Sequence, residues 1–323
     1  MEELTLKIEQ LCSGFETEKG YVPAVDDVSL EIPKGQVVGI VGESGCGKSM
    51  IARSIMGILK YPGRITGGSI RLDGRELVGL SDSQMRAVRG KDVAMIFQEP
   101  MTSLNPVIPV GKQMREALLL HEKIDKNAAK AEVIKMLEHV GISEPEKRYN
   151  AYPHQLSGGL RQRIMIAMAM ICKPKLLIAD EPTTALDVTI EAQILRLIRS
   201  LSRETGMSVL LISHNLGVIA QMCDTVYVMY AGKIVEKADA LTLFDKHDHP
   251  YTKGLMDSVI NLDTNPRRLP AIGGVVPNLL HLPAGCAFSP RCPRAVERCR
   301  DERPELREIA PGHLCRCFEG RVD

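Results

Sequence analysis

Short apolar runs and amphipathic helical patterns alternate from the start of the chain to about Gly232. The alternating polar and apolar residues of Met1–Leu11 predict an edge strand rather than a signal peptide. Helical patterns lie between the apolar runs, and Thr205–Gly206 closes one of them, Ile190–Glu204. The apolar runs are rich in β-branched residues and predict strands buried on both faces of a mixed sheet: Gln36–Gly42, Asp92–Phe97, Lys175–Asp180, Met207–Ser213 and Thr225–Tyr230. The pattern predicts an α/β core.

Two segments depart from this alternation. Residues from about 101 to 170 are mostly helical, with Lys126–Gly141 as the clearest amphipathic piece, and they predict a helical subdomain inserted into the core. After about Lys233, prolines, glycines and cysteines accumulate and the periodicity weakens. We therefore expect a main domain over residues 1–245 and a small cysteine-rich extension over 246–323.

Composition narrows the class of protein. The 323 residues are 44% hydrophobic and 25% charged with a net charge of +1, which is typical of a globular protein of one large and one small unit. The near-neutral charge argues against a broad basic surface for nucleic acid. The longest apolar run, Ile164–Cys172, is about half the length that spans a bilayer. We expect a cytosolic chain that reaches a membrane only through a partner.

A glycine-rich loop follows the first buried run. Residues Gly42–Ser49 read GESGCGKS, a G-x-x-x-x-G-K-S pattern between a strand and a helix. The alternative is a glycine-rich turn with an incidental lysine, but the flanking strand and helix favour a phosphate-binding loop. Its backbone N–H groups and the helix N-terminus bind phosphate oxygens. Lys48 is expected to reach the β- and γ-phosphates, and Ser49 to ligate Mg²⁺. The nucleotide-contacting residues are predicted to be Ser44, Gly45, Cys46, Gly47, Lys48, Ser49 and Met50, with Cys46 as filler rather than a nucleophile.

Two acids end the buried run Leu176–Asp180. Asp180 is expected to bind Mg²⁺ through water, and Glu181 to polarise a water for attack on the γ-phosphate. Alone, an acidic strand end is usually a solvated loop. About 130 residues after a phosphate-binding loop, it is a candidate Walker B motif.

The sequence LSGGLRQR, Leu156–Arg163, places a serine and two glycines before a helix, 23 residues ahead of Asp180. Together with the preceding motifs it resembles the ATP-binding cassette (ABC) family, whose signature is LSGGQ; Leu160 replaces the usual glutamine. The resemblance implies a Q-loop at Gln98, which also contacts Mg²⁺, a D-loop at Ala185–Asp187 and a switch histidine at His214. It also implies an aromatic platform for adenine, Phe15 or, as the alternative, Tyr21.

In this family the signature residues of one cassette face the nucleotide of another. The chain has one phosphate-binding loop and one LSGG, so the resemblance implies that Ser157, Gly158 and Gly159 act on the nucleotide of a second cassette. The catalytic residues implied are Glu181, His214 and Lys48, with ATP and Mg²⁺ as ligands.

Further stretches resemble the D-type ATPase subunits of bacterial and archaeal dipeptide and oligopeptide importers: GRITGGSIRLDG, MIFQEPMTSLNPV, YPHQLSGG and HPYTKGLMDSV. The resemblance implies an ATP-hydrolysing motor on the cytoplasmic face of the cell membrane, with an F-type ATPase (or a second copy) and two permeases as partners. An extracytoplasmic peptide-binding protein is an indirect partner. Residues Thr102–Met114 are where this family docks a permease helix. Importers of nickel or sugar oligomers and a soluble regulatory or assembly ATPase remain alternatives.

Five of the nine cysteines lie between Cys286 and Cys317. Cysteines clustered in a cytosolic protein are more often metal ligands than disulfides. Zinc sites favour C-x₂₋₄-C pairs, whereas Cys286, Cys292 and Cys299 are spaced x₅ and x₆, which favours a bulkier [4Fe–4S] cluster over zinc. Cys317 is the predicted fourth ligand because the tail resembles the family's G-H-x-x-x-C, with Cys315 as the alternative.

Overall fold

The structure is a computed structural model that describes residues 3–98, 103–183, 187–258 and 272–320. Its strands are β1 (Leu4–Thr17), β2 (Gly20–Pro33), β3 (Val37–Val41), β4 (Gly63–Leu72), β5 (Arg75–Glu76), β6 (Val93–Ile96), β7 (Leu176–Asp180), β8 (Ser208–Ile212), β9 (Thr225–Tyr230), β10 (Lys233–Asp239), β11 (Arg307–Ala310) and β12 (His313–Cys315).

The helices are α1 (Lys48–Met56), α2 (Asp82–Val88), α3 (Val110–His121), α4 (Lys126–His139), α5 (Pro145–Tyr149), α6 (Gly158–Met170), α7 (Val188–Thr205), α8 (Leu216–Met222), α9 (Ala240–Lys246), α10 (Pro250–Asp257) and α11 (Arg298–Asp301). Short 3₁₀ turns cover Pro153–Gln155 and Ser289–Arg291. Within the described ranges, no helix is both long and apolar enough to cross a bilayer.

The chain divides into two compact units. The first unit comprises Met1–Thr5, Pro33–Gln36 and Gly79–Leu210. The second unit comprises Leu6–Ile32, Val37–Val78 and Leu211–Asp323. The tail thus belongs to the same compact unit as the glycine loop.

The first unit contains the parallel strand pair β6 and β7 and the helices α2 to α7. Val93 pairs with Leu176 at the start of the strand pair, and every residue of β7 is buried. The helices between about 103 and 170 form as their apolar spacing predicts; α4 buries Ala129, Val133 and Leu137 on one face. In α7 the predicted closure is also found, because Gly206 ends the helix in the left-handed conformation.

The second unit holds a mixed set of strands in the order β11-β12-β10-β9-β3. Strands β3 and β9 are parallel, with Val38 opposite Thr225. Strand β10 is antiparallel to both β9 and β12, and β11 is antiparallel to β12. The weakly periodic tail therefore contributes β11 and β12 to the same sheet as β3.

A second sheet in this unit has the order β2-β1-β4-β5. The prediction that the N-terminal residues form an edge strand is wrong, because β1 lies between β2 and β4 and pairs with β4 from Leu6 to Phe15. The alternating pattern correctly indicates that β1 has a buried face, which includes Leu6, Ile8 and Leu11. That pattern says nothing of how many neighbours a strand has.

Candidate functional site

The glycine loop of the second unit follows β3 and starts α1. Gly47 begins the helix with φ 110°, and a Cβ there would lie 2.2 Å from the Ala24 carbonyl oxygen, so only glycine fits. The buried Lys48 ammonium donates to the carbonyls of Gly42 and Glu43 at 2.7 and 3.0 Å. Ser44 and Gly45 are exposed. The loop therefore presents an accessible backbone with a buried lysine beneath it, the arrangement that binds an anion.

Cys46 lies inside this loop with 1% of its surface exposed. Burial raises the pKa of the Cys46 thiol, and the nearby Lys48 ammonium only partly offsets that effect. A protonated, buried thiol is a poor nucleophile, in keeping with its interpretation as filler. The neighbouring Met50 is buried in α1, and Ser49 is partly exposed at its first turn.

His214 follows β8 in the second unit. The Ser213 N–H donates to the Ile40 carbonyl at 3.2 Å, so the end of β8 lies beside the end of β3, from which the glycine loop departs. Asn215 then caps α8 by accepting from the N–H groups of Gly217 and Val218. His214 is exposed between these two anchors.

The two adenine-platform candidates lie in the β1–β2 region. Tyr21 packs over Gly14, and its hydroxyl hydrogen-bonds the Thr66 hydroxyl at 3.1 Å. Phe15 is half-buried, and a Cβ on Gly63 would lie 3.2 Å from its ring. The hydroxyl of Tyr21 is thus engaged within its own sheet; Phe15 remains the predicted platform.

The Walker B residues lie at the end of β7 in the first unit. Asp180 is buried, with 4% of its surface exposed. Glu181 has φ 47°, a left-handed conformation that residues with a Cβ adopt at a cost. Gln98 follows β6, and its Nε2 donates to Glu181 Oε2 at 2.7 Å. The structure thus brings Gln98 and Glu181 together at the ends of two adjacent parallel strands.

The LSGG residues form the start of α6 in the same unit. Ser157 is the N-cap, and its hydroxyl accepts from the Leu160 N–H at 3.4 Å. A Cβ on Gly158 would meet nothing within 4 Å, so this helix end is open to a ligand. Gln162, which the sequence analysis missed, is buried one turn further along and donates to the Pro182 carbonyl. A glutamine in an apolar helix was the available signal.

The predicted permease-docking segment is described from residue 103, and Thr102 lies outside the described residues, as do Ala185 and Leu186 of the D-loop. Gln113 of α3 bonds back to Asn105 through both its side-chain oxygen and its nitrogen, at 3.0 and 2.9 Å. These two bonds close the loop between Asn105 and Gln113, in which 76% of the surface of Val107 is exposed. Asp187 caps α7 by accepting from the Ile190 N–H at 2.9 Å.

Four cysteines of the tail line one small cavity; they are named the cysteine cluster (Cys286, Cys292, Cys299 and Cys317). The Cys286 N–H donates to the Cys299 carbonyl at 2.8 Å. This close approach needs glycine at 285, where a Cβ would lie 2.4 Å from the same carbonyl oxygen. Burial raises the pKa of Cys286, Cys292 and Cys317.

Cys315 lies apart from that cavity, on β12 opposite Glu236, and is fully buried. In the part of the chain that the structure describes, no group of three or more His, Cys, Asp and Glu side chains is arranged to hold a metal ion. The predicted metal centre thus finds no support in the arrangement of the described side chains, and the choice of ligands stays a prediction.

Comparisons with known proteins agree with the motifs. Residues 25–184 match the family model described as ABC transporter, and residues 235–299 match the model described as oligopeptide/dipeptide transporter, C-terminal region. The dipeptide transport ATP-binding protein DppD of Bacillus subtilis is 50% identical over 98% of this chain and 95% of its own length. The oligopeptide transport ATP-binding protein OppD of Haemophilus influenzae is 49% identical over 97% of this chain and 96% of its own.

Solved structures agree on the fold. A dimeric bacterial ABC transporter cassette is 25% identical, with a TM-score of 0.65 over 73% of this chain and 98% of that chain. The structure of cbiO1 from Clostridium perfringens, part of an ABC transporter complex, is 26% identical, with a TM-score of 0.64 over 76% of this chain and 93% of that chain. The predicted α/β fold with its mixed strands is confirmed, and the chain belongs to the ABC transporter family, among the ATP-binding proteins that carry the oligopeptide/dipeptide transporter C-terminal region.

Proposed function

We propose that this chain is the ATP-hydrolysing motor subunit of an importer for dipeptides or oligopeptides. The observation that carries the proposal is its match, over nearly its whole length, to ATP-binding proteins of dipeptide and oligopeptide transport, tail included. The chain would lie on the cytoplasmic face of the membrane and act through two permeases. A peptide-binding protein outside the membrane would deliver the substrate.

The glycine loop supports the role proposed for it in ATP binding. Ser44 to Ser49 would surround the phosphates with backbone N–H groups, and Met50 would follow in the first turn of α1. Phosphate oxygens are stronger acceptors for an ammonium than the neutral carbonyls of Gly42 and Glu43. When ATP binds, the Lys48 ammonium would therefore exchange these carbonyls for phosphate oxygens. The ring of Phe15 would stack on the adenine.

The residues for hydrolysis are Glu181, Gln98 and His214. Ser49 and Gln98 would hold Mg²⁺, with Asp180 behind a water; the ion supplies charge stabilisation for phosphoryl transfer. Glu181 would orient the attacking water. Gln98, whose side chain bonds the Glu181 carboxylate, would lie next to the γ-phosphate. His214, exposed after β8, would stabilise the charge that develops on the γ-phosphate.

A second cassette completes each site in this proposal. Ser157, Gly158 and Gly159 form an open helix N-terminus that would bind the partner's nucleotide. An F-type ATPase, or a second copy of this chain, would supply the reciprocal surface. A solved relative that is 25% identical is a dimeric cassette, which supports this arrangement.

The test is reconstitution of this chain with candidate permeases and a second ATPase in proteoliposomes. Peptide delivered by its binding protein is expected to stimulate ATP hydrolysis and to accumulate inside. Stimulation by nickel or by a sugar oligomer instead would move the chain to another importer of the same family. Failure to co-purify with any permease would favour a soluble ATPase and overturn the importer role.

We also propose that the cysteine cluster binds a [4Fe–4S] group that cross-links the tail. Support comes from the single cavity that its four members share and from the separate position of Cys315. Zinc sites favour C-x₂₋₄-C pairs, whereas Cys286, Cys292 and Cys299 are separated along the chain by five and six residues. A bulkier group fits wider spacing.

Anaerobic purification tests this second proposal. The protein is expected to be brown and to contain iron and acid-labile sulfide in equal amounts, and Cys317→Ser is expected to lose them. The matched control, Cys315→Ser, should retain both. Colourless protein with one zinc per chain would overturn the cluster, and loss of iron in Cys315→Ser alone would move the fourth ligand.

A further inference from the structure

Glu43, the second residue of the glycine loop, is held through each of its polar groups. Its N–H donates to the Tyr251 hydroxyl at 2.7 Å, and its carbonyl accepts from Lys48 Nζ at 3.0 Å. Its carboxylate accepts two hydrogen bonds from Arg291, with Nη1–Oε2 at 2.7 Å and Nη2–Oε1 at 3.0 Å. Two of these three partners, Tyr251 and Arg291, lie outside the loop and come from the C-terminal part of the chain.

Arg291 belongs to the cysteine-rich tail. It ends the 3₁₀ turn Ser289–Arg291, directly before Cys292 of the cysteine cluster. Only 4% of its side chain is exposed. The guanidinium also donates through Nε to the Gly273 carbonyl at 2.9 Å and through Nη2 to the Ile272 carbonyl at 3.3 Å. Bonds within the C-terminal part of the chain therefore hold Arg291 in addition to its pair with Glu43.

Aromatic rings fix the same guanidinium from another side. Its carbon lies 5.8 Å from the centroid of Tyr230 and 5.9 Å from that of Phe288, within the range of cation–π attraction. Phe288 packs edge-on against Tyr230 and Tyr251, at 5.3 and 5.4 Å between centroids. Tyr251 is the residue that accepts the Glu43 N–H. One packed group thus sets both external contacts of Glu43.

The chemistry of the pair suits a positioning role. A bidentate arginine–carboxylate pair fixes orientation as well as distance, because two parallel N–H···O bonds allow one planar arrangement. Glu43 shares its carbonyl with the Lys48 ammonium, so a shift of Glu43 moves the lysine that the phosphates need. The carboxylate that Arg291 bonds belongs to a residue inside the phosphate-binding loop.

We propose that Arg291 is a positioning residue for ATP binding, which holds Glu43 and thereby couples the segment around Cys292 to the conformation of the glycine loop. The proposal rests on the proposed function of that loop in binding ATP. It predicts that the tail affects nucleotide affinity without touching the nucleotide.

The experiment measures the Kd of a fluorescent ATP analogue for the purified full chain. Arg291→Ala is expected to weaken binding about tenfold, since it removes a bidentate charged pair. Arg291→Lys, which keeps the charge but not the fork, is expected to recover part of the loss. Glu43→Gln is expected to weaken binding by a similar factor, and Glu43→Gln combined with Arg291→Ala should be no worse than Arg291→Ala alone, because both remove one interaction.

Two controls make the outcome decisive. Arg298→Ala removes another ion pair of the tail, the exposed one with Glu302 at 2.8 Å, and should leave Kd unchanged. Lys48→Ala should abolish binding. Wild-type affinity in both Arg291→Ala and Glu43→Gln, with Lys48→Ala inactive, would overturn the positioning role and leave the proposed function intact. Full binding by Lys48→Ala would overturn both. Glu43→Gln preserves the packing of the tail, so it decides the matter even if Arg291→Ala fails to fold.

Discussion

Gln98 Nε2 donates a hydrogen bond to Glu181 Oε2 over 2.7 Å. The two residues are 83 positions apart in the chain and meet because β6 and β7 are parallel neighbours that end at the same edge. The amide thereby fixes one carboxylate oxygen. A carboxylate held in one orientation is what a residue that orients a nucleophilic water requires.

Replacement of Glu181 by glutamine should separate binding from turnover. Glu181→Gln keeps the size of the side chain but removes its charge, so we expect ATP affinity within about twofold of wild type and at least a hundredfold loss of hydrolysis in the assembled transporter. Single-turnover kinetics check this. Hydrolysis near the wild-type rate would contradict the assignment of Glu181 as the residue that orients the water.

The isolated chain should hydrolyse ATP with a rate that depends on its concentration. Ser157 and Gly158 act on the nucleotide of a neighbour in the proposed arrangement. Turnover per chain should therefore rise with protein concentration and fall towards zero in monomeric samples. Ser157→Ala is expected to impair turnover more than ATP binding. Constant specific activity in a sample shown by light scattering to be monomeric would contradict the two-cassette mechanism.

Stability should decrease in mild acid because of His249. Burial lowers the pKa of His249 from 6.5 to about 4, although the Glu236 carboxylate favours the charged form. Above pH 6.5 both folded and unfolded chains carry a neutral imidazole. Below it the unfolded chain binds a proton that the folded chain resists, so the free energy of unfolding falls between pH 6.5 and 4 by about 3 kcal/mol.

The same imidazole caps α10, because its Nδ1 accepts from the Tyr251 N–H at 3.1 Å. Protonation would end that acceptance. His249→Asn keeps a capping acceptor without the titration, so its unfolding free energy should vary less with pH over this window. Denaturant unfolding at pH 7, 6 and 5 measures the unfolding free energy of the wild type and of His249→Asn. An equal dependence of that free energy on pH in the two proteins would show that another group is responsible.

Core packing of the tail should be measurable at Phe288. Its ring is 2% exposed and packs against Tyr230, Tyr251 and His249. We expect Phe288→Ala to destabilise the second unit by about 3–5 kcal/mol, and Phe288→Leu by less, because the leucine fills more of the space. Differential scanning calorimetry checks this. An unchanged melting temperature in Phe288→Ala would mean that the tail unfolds independently of the cassette.

Periodicity predicted the interior strands well and the tail poorly. β3, β7 and β8 are short runs buried at every position, and a run of that kind has few other outcomes. β11 and β12 are only four and three residues long; β12 pairs with β10, and β11 pairs with β12. Strands so short have no pattern of their own to detect.

The motifs located the loop and the strand ends, but the contacts between distant residues required the structure. Gln162 reaches Pro182, and Arg291 reaches Glu43 across 248 positions. Arginine and glutamine are ordinary residues in any sequence, and their meaning here depends on which carbonyl or carboxylate the fold brings near. Spacing alone carries no such information.

The pairing of β12 with β10 has a practical consequence for anyone who trims this protein. Glu236 and Lys237 of β10 lie opposite Cys315 and Leu314 of the tail. A chain cut after residue 245 would retain the glycine loop, LSGG and Walker B motifs, yet it would present β10 as a bare row of backbone donors and acceptors. We expect such a fragment to self-associate through that row, so a nucleotide-binding fragment of this protein should include the residues through Cys317.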